Sequence, residues 1–222
     1  MDYGKQMINI IYEDNHLLVV EKPINMPVQE DSSKDKDLLN ELKLYLKNKY
    51  NKPGNVYLGL VHRLDRPVGG IMVFAKTSKA ASRLNEQIRN HIVKKTYYAV
   101  LCGNLKEDGI LEDYLLKEEK TNKTIISDKG KYSKLEYKVI ENKENKTLVK
   151  INLITGRSHQ IRVQFSSRNY PLYGDQKYNK KASKKEQVAL FAKQIIFDHP
   201  VTKEQMNFEI NFPNTYPWNI FE

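Results

Sequence analysis

The chain has 222 residues, 40% hydrophobic and 29% charged, which fits a folded protein with one large core or at most two small domains. No stretch approaches the roughly 18–20 apolar residues that span a bilayer, and the N-terminal MDYGKQMINIIYEDN lacks the basic-then-apolar order of a secretory signal. The single cysteine, Cys102, excludes an internal disulfide, so the cytoplasm is the expected address. A net charge of +10 and a pI near 9.4 suit a polyanionic partner, but also a lysine-covered surface that serves solubility.

In chain order, INIIYEDNHLLVVEKP reads as two short strands around the turn Glu13-Asp14-Asn15, ending at Pro23. PINMPVQEDSSKDKD is a loop. DLLNELKLYLKNKY puts Leu38, Leu39, Leu42 and Leu46 on one face of an amphipathic helix, closed by Asn51-Lys52-Pro53-Gly54. VYLGLVHRL and GIMVFAKT read as strands flanking the loop Asp65-Arg66-Pro67-Val68-Gly69-Gly70. Ser78 is placed to cap a helix running to about Ile92, with Ala81, Leu84 and Ile88 inward. TYYAVLCG, SKLEYKVIEN and KTLVKINLIT read as strands, and Cys102 in the first of them as a small buried thiol. In GRSHQIRVQFSSRN, Ile161 and Phe165 are spaced i,i+4, as in a helix. After the lysine-rich QKYNKKASKKEQ, VALFAKQIIF and EQMNFEINF read as closing strands. Strands outnumber helices without βαβ alternation, which predicts an α+β fold: one domain over residues 1–222, a mixed, largely antiparallel β-sheet with a few flanking helices.

Arginine is scarce and unevenly placed. Of 37 basic residues only seven are arginines, and four of these lie in HRLDRPVGG (62–70) and GRSHQIR (156–162). Lysine serves as a point charge almost everywhere, whereas arginine falls where a planar, bidentate fork would matter. Asp65, between Arg63 and Arg66, is expected to be ionised. By itself the segment fits either a structural ion pair at a turn or a catalytic carboxylate. A metal site is not expected, because beyond His62 and Asp65 no further ligand cluster is evident. GRSHQIR, at a strand-to-helix junction, suits either phosphate binding or a solvated helix start with an ordinary interior His159.

The string VHRLDRPVGGIMVFAKT resembles the signature of the RluA-type pseudouridine synthases: HRLD, a short turn, a glycine and an apolar strand ending in AKT. EDNHLLVVEKP, KTYYAVLCG, LITGRSHQIRVQF, YPLYGDQKY and FDHPVTKEQMNFEINFP resemble further family segments in the same order, so that the likeness spans about residues 8–213. It implies that Asp65 is the catalytic carboxylate. Tyr97 matches the aromatic that stacks on the target base and is the candidate base for the C5 proton. Arg162 matches the basic residue that pairs with the aspartate, Ile161 an apolar residue of the base pocket, and Arg63 the arginine that helps displace a flipped base. Arg157, His159 and Gln160 are expected as RNA-backbone or supporting groups.

Two departures are Pro67-Val68-Gly69, where many members carry Thr-Ser-Gly, and Pro23-Ile24-Asn25, where a glycine is common. The likeness begins at the catalytic core, so no N-terminal RNA-binding domain is expected. The reaction so implied breaks the N1–C1′ bond of uridine, turns the base and joins C5 to C1′, with no cofactor and no metal. Asp65 would either add covalently to the substrate or remove a ribose proton on the way to a glycal. Ribosomal or transfer RNA is the expected partner, and a monomer without an obligate protein partner is expected. The alternatives are a non-catalytic RNA-binding protein with the same fold, or a nuclease or glycosidase. The first is disfavoured by the presence of Asp65, Tyr97 and Arg162 together, the second by the lack of metal ligands or paired carboxylates.

Overall fold

The computed structural model describes residues 8–221. Eleven strands, β1 (Asn9–Glu13), β2 (Leu17–Lys22), β3 (Gly59–Leu60), β4 (Gly69–Ala75), β5 (Lys94–Cys102), β6 (Gly109–Glu118), β7 (Lys123–Ile126), β8 (Lys131–Lys143), β9 (Lys146–Leu153), β10 (Leu190–Asp198) and β11 (Gln205–Glu209), belong to one sheet. Among the described residues three α-helices accompany it: α1 (Leu38–Lys49), α2 (Ser78–Arg89) and α3 (Gln160–Ser166). The expected α+β class with a largely antiparallel sheet is what the chain adopts; every pairing of described register is antiparallel.

The packing divides into two compact units. One runs up to Val93 and includes Gln194–Ile210; the other comprises Lys94–Lys193 and the chain from Asn211 onward. In the first unit, β2 and β4 are buried on both faces and read accordingly as unbroken apolar runs, LLVV and GIMVFA. Their residues Leu17, Val19, Ile71 and Val73 pack with Ala80 and Leu84 of α2 and with Ile195 and Phe197 of β10. Helix α1 forms because Leu38, Leu42 and Leu46 recur every four residues and because Asp37 caps it, accepting the Asn40 N–H at 3.0 Å. Helix α2 is capped by Thr77, one residue earlier than the sequence suggests, through the Ala80 N–H at 3.1 Å.

The second unit orders its strands β5-β9-β8-β6-β7. Leu111 and Leu115 of β6, Leu135 of β8 and Ile151 of β9 are buried there, and Phe165 of α3 meets Tyr137 edge-on at 5.1 Å. Three expectations need correction. VYLGLVHRL contributes only the two residues of β3; its remainder is irregular chain leading to Asp65. Strands β6 and β7 are not among the elements the sequence predicts. Leu111 and Leu115 lie four apart, a spacing that fits both a helix face and a strand face, so periodicity does not separate the two. Cys102 is half-buried rather than buried; desolvation pushes its thiol pKa up despite the Asn179 amide 3.5 Å from Sγ.

Candidate active-site residues in the two units

In the first unit the chain before Asp65 is irregular, and Asp65 opens a tight turn closed by the Val68 N–H donating to its own carbonyl at 2.9 Å. Leu64 is buried and anchors the turn from one side, while Asp65 itself keeps partial exposure and Arg63 is exposed. The turn then enters β4 through Gly70, whose φ of +122° only glycine adopts without strain. Directly across the ladder from Gly70 is Lys22. Its side chain is 1% exposed, and its ammonium donates to the carbonyls of Pro23 (2.8 Å), Arg66 (3.0 Å) and Val68 (2.8 Å). Three donors on one nitrogen meet three acceptors, two of them in the Asp65 turn. Burial pulls the Lys22 pKa down to about 7; the Asp65 carboxylate works against that fall and the Arg66 charge adds to it.

Arg66 turns away from this clamp. Its guanidinium donates to Ser33 Oγ at 3.0 Å and to Asp35, and lies 3.7 Å from Asp31, tying the loop before α1 to the turn. His62 Nε2 accepts the Val73 N–H of β4 at 3.1 Å and so helps hold the chain leading into the turn. Among the described residues, no group of three or more His, Cys, Asp or Glu side chains could hold a metal ion.

In the second unit, Tyr97 lies on β5 opposite Ile151 and is largely buried, whereas its neighbour Tyr98 meets Phe212 edge-on at 5.0 Å. Alternation along the strand gives the adjacent tyrosines opposite faces. Helix α3 is almost wholly buried. Arg162 is held there by Asp175, Nε to Oδ2 at 2.8 Å and Nη2 to Oδ1 at 2.7 Å, and its guanidinium carbon lies 5.3 Å from the centre of the Tyr178 ring. Asp175 is fully buried, and Oδ1 also accepts the backbone N–H groups of Lys177 and Tyr178 at 3.1 and 3.3 Å. Two backbone donors and the guanidinium compensate the buried carboxylate, and the carboxylate in turn presets the plane of the arginine.

His159 precedes α3 in the left-handed region, φ 51°, with Nδ1 2.7 Å from the Tyr178 hydroxyl, which also accepts the Thr124 N–H at 2.7 Å. Gln160 is buried, with Oε1 accepting from Thr155 Oγ1 (2.8 Å) and the Arg157 N–H (3.1 Å), so it shapes the loop rather than facing outward. Arg157 is exposed, and its Nε donates to the Tyr132 carbonyl at 3.0 Å. Ile161 is buried beside Arg162.

The structure thus places Asp65 and Arg63 in the first unit, and Tyr97, Arg157, His159, Gln160, Ile161 and Arg162 in the second. Sequence reasoning gives no role to Lys22 or Asp175. Lys22 stands at the end of an otherwise apolar strand and Asp175 follows the left-handed Gly174, and in each case the signal is a charge in a run that the fold buries.

Residues 16–167 match the family model of RNA pseudouridylate synthase. The chain is 33% identical over 227 residues to the ribosomal large subunit pseudouridine synthase D of Pseudomonas aeruginosa, covering 95% of this chain and 70% of that one. To synthase C of Vibrio vulnificus it is 35% identical over 212 residues, covering 92% and 65%. Among solved structures, human RNA pseudouridylate synthase domain containing 4 superposes with a TM-score of 0.77 at 23% identity, over 92% of this chain and 88% of that one, which shows the shared fold. With a family model over more than half its length and relatives of this identity over nearly all of it, the chain belongs to the RNA pseudouridylate synthases, in the RluA-type family, and is an isomerase acting on uridine in RNA.

Proposed function

We propose that this enzyme converts specific uridines in structured RNA to pseudouridine with Asp65 as its catalytic carboxylate, and that residues 1–222 act as one catalytic domain. The observation that carries the assignment is the Lys22 clamp: a buried ammonium spends all three donors on carbonyls in and around the Asp65 turn, so the carboxylate is presented on a preset backbone. Two relatives are named for the large ribosomal subunit, which supports ribosomal RNA ahead of transfer RNA as the substrate.

The uracil must leave the stack to be reached, so the target is flipped. Tyr97 stacks on the freed base and takes its C5 proton, Ile161 lines the base pocket, and Arg63 fills the gap left in the RNA. Arg162, its plane preset by Asp175, is the cation of the reaction centre. Asp65 either adds to the substrate or removes a ribose proton; both routes balance without redox change or net hydrolysis, so no cofactor is required. Arg157, His159 and Gln160 shape the loop that meets the RNA backbone, and the enzyme acts as a cytoplasmic monomer.

The test is tritium release from RNA transcribed with C5-labelled uridine. Asp65→Ala and Asp65→Asn are expected to release none while keeping the wild-type melting temperature and RNA affinity, with chelator leaving the wild-type rate unchanged. Turnover by Asp65→Ala would overturn the assignment. Wild-type RNA binding without turnover on any ribosomal or transfer RNA would favour a binding protein of the same fold.

A further inference from the structure

We propose that Lys95 is a phosphate contact for the RNA strand that Tyr97 acts on, its ammonium taking a backbone phosphate oxygen beside Gly156. The inference rests on RNA being the substrate. Lys95 precedes Tyr97 by two residues on β5, so the two side chains share a face of the strand. Its Nζ lies 3.6 Å from the point a Cβ on Gly156 would occupy. Gly156, Arg157 and Ser158 are exposed, and the missing side chain at 156 leaves the ammonium open to that surface.

What distinguishes Lys95 is the absence of an acceptor. Lys22 is buried, and three carbonyls receive its protons; Lys76 is partly buried, and Glu13 with the Asp14 carbonyl receives its own. Lys95 is partly buried, burial lowers its pKa, and among the described residues no hydrogen bond or ion pair compensates it. An ammonium that has given up part of its water shell to the protein and receives no protein acceptor in return is held at some cost. A ligand that brings both an acceptor and a negative charge removes that cost at the moment of binding. In RNA that group is the phosphodiester; a uracil carbonyl would supply an acceptor and leave the charge uncompensated.

The experiment compares the full chain with Lys95→Met and Lys95→Arg, using a fluorescent single-stranded RNA for affinity against salt and a C5-tritiated ribosomal transcript for turnover. Lys95→Met is expected to hold or raise the melting temperature and to weaken RNA binding about 3–10-fold. It should lower the log–log salt slope by about 0.7, the value for one phosphate on a single strand. Its KM should rise with kcat within about threefold of wild type, and Lys95→Arg should restore most of the affinity and slope. A fall in melting temperature with unchanged salt slope would make Lys95 structural and overturn the proposal. So would a fall in kcat at constant KM, which would assign it to the chemistry. If wild type releases no tritium while the salt slopes still separate the variants, the isomerase assignment fails and the phosphate contact stands.

Discussion

At the scale of single residues, the candidate site depends on charges that bind each other before they bind RNA. Asp175 illustrates this: it never needs to touch substrate, yet it takes two of the three nitrogens of Arg162. Arg162→Lys keeps the charge and loses the planar fork, and Asp175→Asn keeps the shape and loses the charge that sets it. Each is expected to lower kcat by about 10²-fold with KM changed far less, because a misplaced cation costs transition-state stabilisation more than binding. Steady-state tritium release measures both; a wild-type kcat in either variant would show that the preset fork has no part in turnover. Lys22→Met leaves three carbonyls around the Asp65 turn without their donor. It is expected to destabilise the fold by about 2–4 kcal/mol in urea titrations and to slow turnover at temperatures where it is still folded.

Among elements, the strongest tie in the first unit is Glu13 at the end of β1. Lys49 (2.8 Å) and Tyr45 (2.9 Å) of α1, Tyr50 just beyond it (2.5 Å) and Lys76 just after β4 (2.8 Å) all converge on its carboxylate. Burial alone would raise its pKa, but these donors prevail and hold it at about 2, from an ordinary value of 4.5. The depressed folded pKa stabilises the protein fully above pH 4.5, and that contribution disappears as pH falls from 4.5 towards 2. Glu13→Gln is therefore expected to lose about 1–3 kcal/mol of unfolding free energy at pH 7, and less at pH 3. Urea midpoints at the two pH values check it; an equal loss at both would mean that the hydrogen bonds matter and the charge does not.

For the molecule as a whole, the net charge of +10 is carried mainly by lysine, and Lys180, Lys181, Lys184 and Lys185 are all exposed on the loop between α3 and β10. If that loop meets RNA, replacing the four with glutamine lowers the salt slope by about 0.7 for each single-strand phosphate they neutralise, with kcat at saturating RNA unchanged. Fluorescence anisotropy between about 50 and 300 mM salt reads the slope. An unchanged slope would show that these lysines serve solvation and that recognition lies elsewhere.

Much of the fold is legible in the chain because burial repeats along it. The double-buried β2 and β4, the four-residue leucine spacing of α1 and the tyrosine alternation of β5 each impose a pattern that one residue type after another obeys. Where the pattern is ambiguous, as in Leu111 and Leu115 of β6, or absent, as in the irregular chain before Asp65, sequence periodicity finds no strand or one too many. Asp65, Tyr97 and Arg162 also stand in the sequence as candidates, through the family resemblance that VHRLDRPVGGIMVFAKT, KTYYAVLCG and LITGRSHQIRVQF carry. Their partners are not. Lys22 precedes the turn it clamps by more than forty residues, and Asp175 stands thirteen beyond Arg162. A lysine with three carbonyls and a lysine with none, Lys22 and Lys95, are the same letter in the chain. Only folding decides which one is buried among acceptors and which one is left half-exposed without them, because hydrogen bonding and desolvation depend on what surrounds a charge in space.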